Sequence, residues 1–503
     1  MSERFWSARL KPGFMVALSA LLLTAGADAY GKPPRARNVI LFVGDGMGIA
    51  TVTATRILDG QRRGGTGEEN VLSYERFPAT AFSKTYTLDF QVGESAGTIT
   101  AMMSGVKTYS AVLGEGPDVT PRVCNAIAQK GIPTLLEEAE DRGLATGVVT
   151  TTRITHATPG GTYAHTPSRD WESDATTPAD AQALGCRDIA RQLVEFSHGN
   201  GIDVVLGGGR ALFLPRETAD PERPDQRGVR ADGRNLIDQW RASHPQRTFV
   251  WNSSQLAGVA VVPDAQVLGL FEPDHLQFEA DRAMDAGGEP SLAEMTAKAI
   301  AILQQNRKGY FLLVEGGRID HGHHAGNAYR ALTDAIALAD AVAVADRLTS
   351  AEDTLLIVTA DHSHTLTISG YPARGNPILG KVKLPDGRLQ VDGTGKPYTT
   401  LGYANGPGAL EASDVQTAGI KHFPHMPQRW DPAAVARPDL TDVDTTAPDY
   451  LQEVAIPGGI PGGAETHGGE DVPVYARGPG SEQVHGVIEQ NRIYHIMKDA
   501  YRW

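Results

Sequence analysis

The run Phe311-Leu312-Leu313-Val314-Glu315-Gly316-Gly317-Arg318-Ile319-Asp320-His321-Gly322-His323-His324 carries an apolar segment straight into a cluster of ionisable side chains. Its first four residues are too few for a helix and, bounded by glycines, read as a buried strand. Six ionisable groups follow, at the end of that strand. Removing so many from water costs several kcal/mol per ion unless something neutralises them. A divalent cation does so most simply; a solvated polar turn is the alternative for this stretch alone.

Two more strands end the same way. Residues 38–43 are Asn-Val-Ile-Leu-Phe-Val and lead into Gly44-Asp45-Gly46-Met47-Gly48; residues 354–359 lead to Asp361-His362-Ser363-His364. If these strands are parallel, Asp45, Glu315 and Asp361 meet at one sheet edge, where open α/β sheets bind ligands. A nucleotide-binding turn after the first strand is not supported, because the third glycine of its fingerprint is missing. Asp320 and His324, spaced i, i+4, can face one ion. Mixed Asp and His donors suit Zn2+, and the oxygen donors Asp45, Thr158 and Glu315 suit Mg2+.

The intervening chain supplies further polar candidates. Ser95 falls where a helix is expected to begin, so it reads either as an N-cap or as a nucleophile facing free backbone N–H groups. Residues 143–151 read as a strand, followed by Arg153, His156, Thr158 and Arg169 in a polar loop. Arg169 is a candidate anion clamp, since a guanidinium offers parallel donors to phosphate oxygens, with a surface salt bridge as the alternative. Glu222, Glu272 and Glu289 are oxygen donors suited to a hard cation such as Ca2+, or simply solvated. Helices are expected over 290–306, 326–348 and 490–501, and a strand over 472–476 after Thr466-His467-Gly468. Between about 369 and 463 the composition shifts to Gly, Pro, Asp and Thr, which reads as a loop-rich insertion.

With 503 residues, 41% hydrophobic and 21% charged, the chain has the composition of a globular protein. A net charge of −14 argues against a nucleic-acid or acidic-membrane partner, both of which need a basic footprint. Arg4, Arg9 and Lys11 precede an apolar run over 14–23, and Ala27-Asp28-Ala29 offers small residues for cleavage. Residues 1–29 therefore read as an export signal and 30–503 as the mature chain. The apolar run is short for a membrane span, and Tyr501-Arg502-Trp503 ends the sequence without a lipid-anchor tail, so no membrane anchor is expected after signal removal. Cys124 and Cys186, the two cysteines, are expected to bridge in an exported protein, with two buried thiols as the alternative.

Six blocks, in order, resemble the active-site motifs of the alkaline phosphatases: residues 38–48, Glu94-Ser95-Ala96, His156-Ala157-Thr158, residues 315–324, residues 361–364 and Thr466-His467-Gly468. The likeness runs from about Arg37 to the C-terminus. It is nearer the animal type than the enteric bacterial type, which has Asp and Lys where this chain has His156 and His321.

The resemblance implies an α/β fold, with a mostly parallel central sheet, helices on both faces and a loop-rich crown insertion. It implies hydrolysis of phosphate monoesters through a phosphoserine on Ser95, with Arg169 binding phosphate. One zinc would be held by Asp320, His324 and His467, the second by Asp45, Asp361, His362 and Ser95, and magnesium by Asp45, Thr158 and Glu315. His156, His321 and His364 would orient ligands or bound water. An additional calcium site would use Glu222, the Phe271 carbonyl, Glu272 and Glu289, the last replacing the family's Asp. Glu94 also stands where the family usually has an Asp that helps hold the arginine. A homodimer, exported to a periplasm or secreted, is the implied setting.

Other two-metal hydrolases remain rivals at this stage, as does a non-catalytic exported metal- or phosphate-binding protein. A sulfatase-like reading lacks a suitably placed cysteine, and a kinase reading lacks the Gly-rich phosphate loop with its lysine.

Overall fold

Every residue of the strand Asn38–Gly44 is buried, and the same holds for Tyr310–Gly316 and Thr354–Ala360. Strands covered on both faces have no polar side to show, which is why all three read as unbroken apolar runs. The computed structural model describes residues 35–124, 131–393, 395–407, 439–457 and 464–503. The expected export signal over 1–29, and part of the expected insertion, lie outside the described residues.

In chain order the first eight strands are β1 (Asn38–Gly44), β2 (Ala79–Lys84), β3 (Ala145–Arg153), β4 (Val204–Gly208), β5 (Arg247–Val250), β6 (Gln266–Leu270), β7 (Tyr310–Gly316) and β8 (Thr354–Ala360). Short strands follow as β9 (Ser363–His364), β10 (Leu366–Ile368), β11 (Leu401–Gly406), β12 (Val454–Pro457) and β13 (His467–Gly468), before β14 (Val472–Arg477) and β15 (His485–Glu489). A ten-stranded sheet takes the order β15-β2-β14-β8-β1-β7-β3-β4-β6-β5. Its pairings are parallel except those of β14, which runs against both β8 and β2. The expected mostly parallel sheet is thus present.

Alternate residues of β1 face two different cores. Val39, Leu41 and Val43 pack with Ile99 and Met102 of helix Ser95–Ser104 and with Ile493 and Ile496 of helix Arg492–Tyr501. Ile40 and Phe42 pack on the other face with Leu303 of helix Leu292–Leu303 and with Leu338 and Val342 of helix Ala328–Leu348. Each such side chain contributes roughly 1.5–3 kcal/mol by leaving water. The strand ends are therefore held firmly.

Register then sets the site. Val43 lies beside Glu315 on one side and Thr359 on the other, and Gly44 beside Gly316 and Ala360. Asp45 and Asp361 follow at once, so the carboxylates of Asp45, Glu315 and Asp361, distant in sequence, share one edge. Beyond that edge β9 pairs with β13, putting His364 opposite His467.

The described part of the polar stretch after Ser369 is mostly turns, but β11 and β12 join β10 in a small three-stranded sheet. Leu366, Leu401, Tyr403 and Val454 bury that sheet against Ala54, Leu58 and Leu332. Cys124 and Cys186 form a disulfide across 62 residues of sequence, packed with Trp171 and Ala181. On the chain-entropy account such a loop closure stabilises by about 4 kcal/mol. No helix among the described residues is long and apolar enough to cross a membrane.

Candidate active site

Just past β1, Gly46 takes φ +67°, a conformation L side chains rarely adopt, and a Cβ there would meet the His364 ring. The turn brings the Gly46 N–H to Asp361 Oδ1 at 2.9 Å and leaves Asp45 at the strand's end. His362 Nε2 lies 3.4 Å from Asp45 Oδ1 and 3.3 Å from Asp361 Oδ2. All three residues are fully buried.

Ser95 is the first residue of its helix, not the cap. Glu94 caps it from an extended conformation, its carboxylate accepting the N–H groups of Ala96 at 3.0 Å and Gly97 at 2.7 Å. This removes the N-cap reading of the serine and leaves its hydroxyl for other work. Ser95 Oγ lies 3.4 Å from both Asp45 Oδ2 and His362 Nε2.

Beside Asp45, Glu315 and His156 converge from β7 and from the turn after β3. Thr150 and Thr152 donate to Glu315 Oε2, whereas Glu315 Oε1 has no hydrogen-bond partner. Asp45 Oδ1, Asp361 Oδ2 and Thr158 Oγ1 are buried without partners too. Burial first, then the neighbouring carboxylates Asp361, Asp320 and Glu315, push Asp45 well above the usual carboxylate range. Burial likewise leads in raising Asp361, and in raising Glu315 to about 7. Buried acceptors of like charge are neutralised either by taking up protons or by a cation held among them.

The second group is more open. Asp320 Oδ1 lies 3.3 Å from His324 Nε2 and 3.4 Å from His467 Nε2, and the two imidazole nitrogens are 3.1 Å apart. His324 Nδ1 meets the Glu465 carbonyl at 2.6 Å, and His467 Nδ1 meets the Gly93 carbonyl at 3.0 Å. A carbonyl only accepts, so each Nδ1 carries its proton and each Nε2 presents a lone pair. Two lone pairs and a carboxylate facing one point form a cation's donor set. Burial would raise Asp320, but the charge His324 carries when its ring is protonated, and the bond from His364, outweigh it and hold the carboxyl well below its usual range.

Arg169 reaches in from the loop after β3. Nη1 donates to Glu94 Oε2 at 2.8 Å, and Nη2 lies 2.9 Å from His156 Nε2. Burial first, then the Arg169 charge, keeps His156 neutral and able to accept that bond. His156 and His321 pack edge-on against His275, whose nitrogens face the Arg153 N–H at 3.0 Å and Arg153 Nη1 at 2.7 Å.

The family model of the alkaline phosphatases matches residues 36–503. The chain belongs to the alkaline phosphatase family. The tissue-nonspecific alkaline phosphatase isozyme of Gallus gallus is 45% identical over 471 residues, covering 92% of this chain and 84% of the relative. An alkaline phosphatase of Gadus morhua is 43% identical over 471 residues, covering 93% and 92%. The solved alkaline phosphatase of Thermus thermophilus shares the fold at a TM-score of 0.62 with 24% identity, covering 99% of this chain and 96% of that one. The protein is accordingly a hydrolase of phosphate monoesters.

In this alkaline phosphatase the zinc- and magnesium-type candidates form groups linked through Asp45 and His362, with Ser95 beside the Asp45, Asp361 and His362 group. The calcium-type candidates lie elsewhere. Glu222 and Glu272 come together with Asp285, which sequence reading did not single out. Phe271 is buried there, while Glu289 Oε2 accepts the Gln277 N–H at 2.9 Å. Arg210 donates to Glu222 at 2.8 Å and Arg223 to Glu272 at 3.1 Å. Sequence reading also missed His275, His323 and Glu465. Of these, His323 sat inside a quoted block and Glu465 just before one, but nothing in their spacing said what they would touch.

Proposed function

We propose that this alkaline phosphatase works through a phosphoserine on Ser95, at a site holding two Zn2+ and one Mg2+. The observation that carries the reading is the Ser95 hydroxyl, not used as a cap and 3.4 Å from Asp45 and from His362, with Arg169 bonded to the preceding residue, Glu94. Asp320, His324 and His467 would hold one zinc, and Asp45, Asp361 and His362, joined by Ser95, the other. Asp45, Thr158 and Glu315 would hold magnesium, the orphaned oxygens of all three fitting that role.

When bound, the cations would supply Lewis-acid stabilisation of phosphoryl, entering and leaving oxygens, and acidify a hydroxyl or water. Arg169 spends one N–H on Glu94 and faces His156 with another nitrogen, leaving its remaining donors for two phosphate oxygens. Ser95 gives its hydroxyl proton to solvent water and attacks phosphorus in line; the serine O–P bond forms as the ester P–O bond breaks, and the departing alkoxide takes a proton from water. A second water then attacks the same phosphorus, the serine O–P bond breaks, the serine oxygen takes up the proton that water gives up, and inorganic phosphate leaves. The N-terminus of the Ser95–Ser104 helix favours negative oxygens at this place. His324 and His467 are partly exposed, so the leaving group departs on their side.

Calcium is a separate part of the proposal. Glu222, Glu272, Asp285 and Glu289 outnumber the guanidiniums of Arg210 and Arg223, and burial, then like charge, pushes Glu289 to about 9. A cation there would relieve that excess. The proposal also takes residues 1–29 as an export signal, residues 369–463 as a crown-like insertion, and the mature enzyme as an exported homodimer. Exposed Phe82, Tyr86, Leu88, Phe90 and Val92 offer apolar surface for a second copy.

Chelation followed by reconstitution tests the metal reading. Activity on p-nitrophenyl phosphate should vanish with chelator and return only with zinc and magnesium together. Full turnover by exhaustively stripped protein would contradict it. Light scattering on the secreted chain reads the dimer, and N-terminal sequencing reads the cleavage point.

A further inference from the structure

One buried carboxylate next to the His467 strand has no part in the chemistry above, yet it touches the cluster twice. Glu465 is fully buried. Its backbone carbonyl receives His324 Nδ1 at 2.6 Å, and its own N–H donates to the His324 carbonyl at 3.1 Å. Its side chain reaches the other way: Oε2 lies 2.5 Å from His364 Nδ1, and the far nitrogen of that ring lies 2.7 Å from Asp320 Oδ1. One residue thus grips a histidine that faces the cation point and, through a second histidine, the carboxylate that faces it.

The grip is itself anchored. Glu465 Oε1 accepts both the N–H and the hydroxyl of Thr365 at 2.6 Å. The next residue is clamped by Asn405 of β11, whose Oδ1 accepts the Thr466 N–H and whose Nδ2 donates to Thr466 Oγ1, both at 2.9 Å. His467 follows directly. A carboxylate with every acceptor used, 0% exposed and tied to strands on two sides, cannot turn away from His364.

We propose that Glu465 is a positioning residue that sets how tightly the Asp320, His324 and His467 group holds its cation. Its carbonyl fixes the His324 tautomer with Nε2 as a lone pair, and its carboxylate holds the His364 ring so that Asp320 Oδ1 stays aimed at the same point. The inference rests on reading that group as a zinc site. Partners of this kind are worth about 10–100-fold in metal affinity.

The test is zinc release from the purified holoenzyme to a chromophoric chelator, with total zinc and magnesium measured alongside, for wild type, Glu465→Gln and His467→Ala. In Glu465→Gln one zinc equivalent should bind about 10–100-fold more weakly, the other zinc and the magnesium should be unchanged, and excess zinc should restore kcat. Zinc affinity within twofold of wild type overturns the proposal, as does a kcat loss that excess zinc does not repair. His467→Ala separates the two readings: if it keeps its full zinc content, the zinc-site assignment itself has failed, whatever Glu465 does. Should Glu465→Gln not accumulate as folded enzyme, Thr365→Val removes one donor to the same carboxylate and should weaken the same zinc by a smaller factor; unchanged affinity there also overturns the proposal.

Discussion

Arg169 donates a 2.8 Å hydrogen bond to the same Glu94 carboxylate that caps the helix beginning at Ser95. The anion clamp and the proposed nucleophile are therefore positioned by a single side chain. Glu94 Oε1 also accepts the Ala111 N–H at 2.8 Å, which ties a second loop to the arrangement.

Shortening this residue should be felt in substrate binding. Glu94→Asp draws the carboxylate one methylene back toward the cap amides, so Arg169 must move to keep its bond and KM for a phosphate ester should shift. Glu94→Ala removes a charge-assisted bond worth about 1.5–3 kcal/mol, and should raise KM by about tenfold or more while lowering stability by about 1 kcal/mol through the lost cap. Steady-state kinetics indistinguishable among the three forms would remove Glu94 from the phosphate site.

A second buried acid sits away from the site. Glu140 accepts from Thr146 with one oxygen while the other has no partner. Burial first, then the nearby Asp203, raises Glu140 from 4.5 to about 9. The folded state thus binds this proton more tightly than the unfolded state, so its contribution is complete below pH 4.5 and is lost as pH rises to about 9. The slope is at most about 1.4 kcal/mol per pH unit. Glu140→Gln should melt higher than wild type at pH 9 and alike at pH 5. Parallel melting curves across that range would show that Glu140 ionises normally.

How much of this was legible in the sequence follows from what each residue answers to. β1, β7 and β8 were readable because burial on both faces leaves only apolar residues, and their ends announced the ligands. The helix after His324 was readable from its period, though it starts at Ala328 because Gly326, at φ +64°, turns the chain and Asn327 caps the Arg330 N–H. Glu94 was read as a partner of Arg169, but its cap on the helix was not, since serine is the stronger cap by propensity; the acid takes the cap and the Arg169 bond together. β11 and β12 hid in Gly-rich sequence whose pairing depends on strands far away. Asp285 comes beside Glu222 and Glu272 through a loop path no local pattern encodes, and Glu465 meets His364 from 101 residues away.

The disulfide is the simplest element to test. Reducing Cys124–Cys186, or Cys124→Ser, frees a loop that contains His156, Thr158 and Arg169. Stability should fall by about 2–4 kcal/mol, read as a lower denaturant midpoint with an unchanged slope. An unchanged midpoint would mean that the unfolded chain gains nothing from losing the bridge.

Most direct of all is to trap the enzyme in mid-reaction. Acid quench of the metal-loaded enzyme with a phosphate ester, followed by peptide mass spectrometry, should find one phosphoryl group on Ser95. Ser95→Ala should show none, together with a loss of several orders of magnitude in kcat. A phosphoryl group on another residue, or a Ser95→Ala enzyme that still forms the labelled intermediate at the wild-type rate, would contradict the account.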